Sequence, residues 1–182
     1  VSRRGRLLLL LLSLPLLALA AAQLVGALLP HEHRVASRAV YAQPPDSVWT
    51  AVSDFARLPS WRPDVKRTER LADRDGHPVW LEVGINGEVP YEVLTFEPPR
   101  VLVVRTADPG LPFRGRWRYR VEPDPGGCAL EITEWGEIRG GMYRFLARFA
   151  FGYHSKVDGV LRTLGTRFGE MTVPQHVPPG AE

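Results

Sequence analysis

From Phe113 to Val121 the chain alternates strictly. Phe113, Gly115, Trp117, Tyr119 and Val121 fall on one side of an extended segment, and Arg114, Arg116, Arg118 and Arg120 on the other. The aromatic side must face inward, and it offers large apolar bodies with a polar tip at Tyr119, suited to stacking on or hydrogen-bonding a flat apolar molecule. Tyr91 carries the same chemistry on an earlier segment. The arginine side can touch phosphates, or stand in solvent pairing with neighbours such as Glu131. Further on, Leu130, Ile132 and Glu134 share a face opposite Glu131, Thr133 and Trp135, so Glu134 points inward if the alternation holds. A buried carboxyl there can donate a proton or hold a ligand hydroxyl, whereas a bulge near Trp135 would turn it to water. His154, beside Tyr153, reads either as a cavity-mouth residue or as a partly solvated surface histidine.

Other chemistries lack their residues. No Gly-x-Ser-x-Gly, Walker loop, His-Glu-x-x-His or dinucleotide glycine pattern occurs. Acid/base catalysis needs only one or two placed side chains and stays open, with Glu134, Tyr119 and His154 as its candidates. His31 and His33 flank Glu32, but nothing nearby completes a metal-ligand set, so they read as link residues. The lone Cys128 excludes an internal disulfide and a cysteine-based zinc site, and is tolerable outside the cytoplasm if buried. No metal and no cofactor is expected.

The sequence pI of about 9.3 invites a nucleic-acid reading. All three excess positive charges, however, are Arg3, Arg4 and Arg6, and the rest of the chain balances acid against base. Nucleic acid is therefore not an expected partner. Those arginines precede an almost unbroken apolar run over residues 7–29, closed by Pro30. About 20 apolar residues at ~1.5 Å rise each suffice to cross a bilayer. Two alternatives remain, a retained anchor and a cleaved export signal, since Ala18-Leu19-Ala20 and Ala20-Ala21-Ala22 resemble signal-peptidase sites. Either way the charge flank keeps the N-terminus in the cytoplasm and delivers the rest outside the membrane.

The elements that must position these side chains follow from turn chemistry and periodicity. After a short polar link, residues 35–42 read as a strand, and Asp46 or Ser47 as the N-cap of a short helix carrying Val48, Trp49, Val52 and Phe55. Pro59 and Pro63, either side of Trp61, break it. Six strands follow, at 65–72, 79–85, 88–97, 101–106, 113–122 and 129–138, separated by turn formers such as Asp75-Gly76, Asn86-Gly87 and Gly126-Gly127. Links this short imply an antiparallel meander. Residues 142–168 repeat apolar side chains at Phe145, Phe149, Tyr153, Val157, Val160, Leu161 and Leu164, which predicts one long amphipathic helix. From Val173 on, prolines and Gly180 predict a frayed tail.

This order of elements resembles the α+β helix-grip fold of the START-like superfamily, also called SRPBCC, over residues 34–170. Val48-Trp49 with Asp54, Pro59, Trp61, Pro63 and Val65 resembles the opening motif of its polyketide cyclase/dehydrase branch. The Phe96-Glu97-Pro98-Pro99-Arg100-Val101 corner and the run from Leu130 to Gly136 fit as well. The resemblance implies a curved sheet wrapped around a long C-terminal helix, with a cavity between them lined by Tyr91, Trp117, Tyr119 and Glu134 from the sheet and Tyr153 and Val157 from the helix. Trp61 then serves as an entrance lid, or as the anchor of its loop.

The domain organisation is thus a leader (1–30), a START-like domain (31–172) and a tail (173–182). The leading functional reading is membrane-tethered binding of a hydrophobic small molecule or lipid. A cyclase/dehydrase-like or aromatase-like enzyme is the alternative. A partner-docking domain without ligand is a third, favoured by a cavity below ~300 Å³.

Overall fold

The computed structural model of the chain describes residues 3–180, with side chains from Ser13 onward. The elements are α1 (Arg3–Leu28), β1 (Glu32–Tyr41), α2 (Pro45–Ser53), a 3-10 turn (Phe55–Ser60), β2 (Val65–Arg74), β3 (His77–Gly84), β4 (Gly87–Glu97), β5 (Val101–Thr106), β6 (Phe113–Asp124), β7 (Gly127–Ile138), α3 (Gly141–Leu146), a π turn (Ala147–Phe151), α4 (Ser155–Arg167) and β8 (Gln175–Val177). They fall into two compact units. One comprises the residues up to 31 with 138–152, the other 32–137 with 153–182.

The second unit is built on one sheet in the order β2-β3-β4-β5-β6-β7-β1-β8. The expected six-stranded meander is present as β2 to β7, because each link is too short for anything but an antiparallel return. Asp75 and Gly76 both take positive φ and close the β2–β3 hairpin. The β3–β4 turn sits one residue earlier than expected: Gly84 pairs with Gly87, leaving Ile85-Asn86 as the loop. On the sheet's inner face, Val48 and Val52 of α2, Phe55 and Leu58 of the 3-10 turn, and Val157, Leu161 and Leu164 of α4 form one core with Val104, Trp117, Leu130 and Ile132. Full burial of such a side chain stabilises by about 1.5–3 kcal/mol. The Tyr41 hydroxyl donates to the Leu161 carbonyl at 2.8 Å, which ties α4 to β1. Cys128 is buried, and burial pushes its thiol up to about 11, so it is an inert core residue.

Four sequence expectations are corrected. The polar link is strand, since β1 begins at Glu32, paired with Glu137 of β7; a waiting strand partner overrides weak local propensity. The N-cap of α2 is Pro44, with Pro45 opening the helix, rather than Asp46 or Ser47. The tail supplies β8, whose residues pair with Ala36, Ser37 and Arg38. And the long helix is two. Gly152 takes φ +79, a left-handed conformation that glycine adopts without steric cost, and separates the α3–π segment from α4. Phe145 and Phe149 therefore belong to the first unit, where their rings lie 5.0 Å apart.

In that first unit, α1 and α3 approach closely enough that a methyl group on Gly26 would collide with the Gly141 carbonyl. Leu14, Leu16, Leu17, Leu19, Leu24 and Leu28 of α1 are exposed, as are Tyr143, Phe149 and Phe151. Among the described residues, no helix is long and apolar enough to cross a membrane.

A similar close approach occurs in the sheet, where a methyl on Gly84 would collide with the Asp64 carbonyl oxygen. Gly84→Ala is expected to cost about 1–3 kcal/mol of stability in urea denaturation, as overpacking does elsewhere.

Candidate functional site

Between the sheet, the 3-10 turn and α4 lies a cavity whose wall includes Phe55, Leu58, Trp61, Leu102, Ile132, Val157 and Val160. Its volume is about 40 Å³, enough for no more than a few waters and far below the ~300 Å³ of an ordinary ligand site. The hollow interior expected from the fold is therefore nearly filled, because large side chains of the sheet face crowd it. Tyr91 and Trp117, for instance, pack edge to face with centroids 5.7 Å apart.

The wall is not purely apolar. Arg62, 9 % exposed, forks onto Asp64, with Nε to Oδ1 at 3.2 Å and Nη2 to Oδ2 at 2.6 Å. Its Nη1 reaches both oxygens of buried Glu82, at 3.3 and 3.2 Å. Burial works against the Arg62 charge, but the two carboxylates outweigh it and hold the guanidinium protonated. Glu82 is shifted upward, because burial outweighs the attraction of Arg62. Asp64 is also desolvated, yet the Arg62 hydrogen bonds win and hold it below the usual carboxylate range. Burial raises the phenols of Tyr91 and Tyr119, so both are hydrogen-bond donors at neutral pH. Lys156 of α4 completes the wall, its ammonium 4.8 Å from the centre of the Trp117 ring, a cation–π distance. The indole N–H of Trp61, a residue of the same wall, has no hydrogen-bond partner among the described residues, as is also true of the Trp135 indole N–H on the opposite face. Such an orphan donor is costly and calls for an acceptor.

Of the residues singled out from sequence, Trp61, Tyr91, Trp117, Tyr119 and Val157 meet in this wall. Glu134, Tyr153 and His154 do not line it. Glu134 is buried, as its alternation requires, but its Oε1 stands 3.5 Å from His33 Nε2. The His33 ring in turn stacks on Tyr153 at 4.6 Å and lies over Gly136, where no side chain blocks it. His33, read as a link residue, is thus the partner of the inward carboxyl. His154 sits in a separate cluster with Ser37, Asp158 and His176. Sequence reasoning missed Arg62, Glu82 and Lys156. A signal existed for Glu82, a lone carboxylate between Leu81 and Val83 in an apolar strand.

The arginine stripe stands on the sheet's other face. Arg116 lies over the Trp135 ring at 4.4 Å and Arg34 at 5.0 Å. Arg118 comes within 3.9 Å of Glu131, the expected neighbour. Arg74, Arg105, Arg114 and Trp135 line an open groove of about 760 Å³ there.

Fold and site together define a helix-grip domain with a small, polar-studded cavity. The chain belongs to the family described as polyketide cyclase/dehydrase and lipid transport, matched over residues 32–168. No curated protein matches it. Among solved structures, it is similar to the Zhui aromatase/cyclase of a Streptomyces species, with TM-score 0.61 and 15 % identity over 75 % of this chain and 93 % of that one. It is also similar to the di-domain aromatase/cyclase StfQ of the steffimycin biosynthetic pathway, with TM-score 0.58 and 15 % identity over 76 % of this chain and 52 % of that one. A START superfamily protein from Mycobacterium smegmatis gives TM-score 0.55 and 18 % identity, covering 76 % and 97 %. At these identities the likeness is one of fold.

Proposed function

We propose that this domain binds an apolar small molecule or lipid carrying at least one acceptor oxygen, in a cavity that opens between the 3-10 turn and α4. The observation that carries this is the orphaned Trp61 N–H, set in a wall that also holds the Arg62–Glu82 pair and two protonated phenols. A core built only for stability gains nothing from an unpaired donor and a desolvated ion pair, whereas a ligand oxygen satisfies the first. The 40 Å³ volume falls in the range that the sequence reading assigned to partner docking, so binding requires the cavity to widen, with Trp61 and Leu58 moving away from α4. Residues 7–29 serve as a membrane tether that keeps the domain on the outer side, or as a signal removed on export. A tether raises the effective concentration of a ligand that partitions into the bilayer.

The probe is dihydroxyanthraquinone, a flat apolar molecule with acceptor oxygens, titrated into the full-length protein in detergent micelles while tryptophan fluorescence is read. Saturable quenching is expected, lost in Val157→Phe, which fills the cavity. No quenching, or quenching unchanged in that variant, would overturn the binding reading and leave a domain that docks partners without ligand. A second reading, acid/base catalysis of the cyclase or dehydrase kind, is favoured by one observation: the upward shift of Glu82 beside two phenols in one wall.

A further inference from the structure

Away from that cavity, three elements bring together side chains that the sequence reading did not connect. His154 immediately precedes α4, and Asp158 lies one turn along the same helix face. His176 comes from β8, where pairing with β1 sets it opposite Ser37. Each of the three offers one ligand atom, and these atoms all lie within 4.8 Å of one another. The imidazole rings of His154 and His176 stack with centroids 3.6 Å apart, and His176 Nε2 stands 3.0 Å from Asp158 Oδ2.

We propose that His154, Asp158 and His176 form a site for a divalent first-row transition ion of the zinc class. Ser37 orients it. Its buried hydroxyl donates to Asp158 Oδ1 at 2.7 Å and lies 3.1 Å from His154 Nδ1. A hydroxyl whose proton is committed to Asp158 can only accept from that nitrogen, so Nδ1 carries the hydrogen and Nε2 keeps its lone pair. This is the hydrogen-bonded second layer that ligating histidines and carboxylates require. Two imidazoles and one carboxylate suit zinc, cobalt or nickel rather than magnesium or calcium, and three protein ligands leave a fourth position for water.

Around a tetrahedral ion with bonds of about 2.1 Å, ligand atoms stand roughly 3.4 Å apart and each imidazole lone pair lies in its ring plane, so the trio must contract and the exposed His176 ring must turn out of its stack on His154. The mobile parts are on the outside. The His176 side chain is 56 % exposed on a three-residue strand, and Arg162, 3.5 Å from Asp158 Oδ2, has a solvent-exposed side chain that must withdraw as the cation enters. In effect the ion replaces the hydrogen that His176 shares with Asp158 and fastens β8 to α4.

The test uses the full-length chain in detergent micelles, stripped with chelator and titrated with zinc chloride by calorimetry and with cobalt chloride by visible absorption. One equivalent of zinc is expected, with cobalt d–d bands and a raised unfolding temperature. His176→Ala and His154→Gln are each expected to weaken binding by about tenfold or more, while His31→Ala leaves it unchanged. No cobalt bands at about tenfold excess would overturn the proposal, as would binding that survives both substitutions. A His176→Ala variant that melts earlier while zinc has no effect on the unsubstituted chain would also overturn it, leaving only a hydrogen-bonded knot.

Discussion

Arg62→Met is expected to destabilise the grip domain by about 3–5 kcal/mol in chemical denaturation, because it leaves a buried carboxylate without its counter-charge. Glu82 has no other cation within hydrogen-bonding distance among the described residues, and burial already pushes its carboxyl upward with Arg62 in place. The double variant Arg62→Met/Glu82→Leu should recover most of the loss, since replacing both partners with apolar groups of similar volume is often neutral. Asp64 adds a signature in pH. Its folded pKa is depressed by the Arg62 hydrogen bonds against the cost of burial, so the stability it contributes is present above its unfolded pKa of about 3.9 and is lost as pH falls through the folded value. Arg62→Met should therefore flatten that acid limb as well as lower stability at neutral pH. A single-variant loss below about 1 kcal/mol would show that water reaches the pair.

Arg144→Met is expected to release the α3–π segment from α1. Arg144 is 4 % exposed, and its guanidinium donates to four main-chain carbonyls. Nε donates to Gly26 O at 2.8 Å and Nη2 to Ala27 O at 3.3 Å, while Nη1 donates to Ile138 O at 3.0 Å and Arg139 O at 2.7 Å. Gly26 and Ala27 lie in the last turn of α1, which carries the negative end of the helix dipole, and Gly26 O also accepts from the Leu29 N–H at 3.2 Å. Charged hydrogen bonds of this kind contribute about 1.5–3 kcal/mol each, so a local loss of at least ~3 kcal/mol is expected. Hydrogen–deuterium exchange over residues 138–152 should then accelerate by about 100-fold or more, with the sheet unaffected. Arg144→Lys, a point charge with fewer donors, should fall between. Unchanged exchange in Arg144→Met would mean that the glycine contact alone holds the unit.

Much of the fold was legible because it is written in local chemistry. The strands were visible through turn formers such as Asp75-Gly76, and the inward pair Trp117 and Tyr119 through period-two alternation. What failed was what depends on partners far apart in the chain. Phe145 and Phe149 carry the same helical period as Val157 and Leu161, and periodicity cannot say which surface an apolar stripe will meet. Nothing in residues 32–34 announces a strand; Glu137, Gly136 and Trp135 of β7 make it one. Arg62 and Glu82 meet only through the β2–β3 arrangement, and the Ser37, His154, Asp158 and His176 cluster needs β1, α4 and β8 at once. The volume of the cavity was illegible for another reason. It is a small difference between the span of a curved sheet and the summed size of the side chains filling it.

The two margins of the sheet are guarded by different means. Along β2, Lys66, Arg67, Glu69, Arg70, Asp73 and Arg74 present a charged rim that disfavours an incoming strand. The margin of β1 has only the three residues of β8 laid over Ala36, Ser37 and Arg38. Unwanted strand addition between copies should therefore begin where that small strap peels away. Resistance to such self-association rests less on the packed interior than on how firmly a few residues near the end of the chain stay in place.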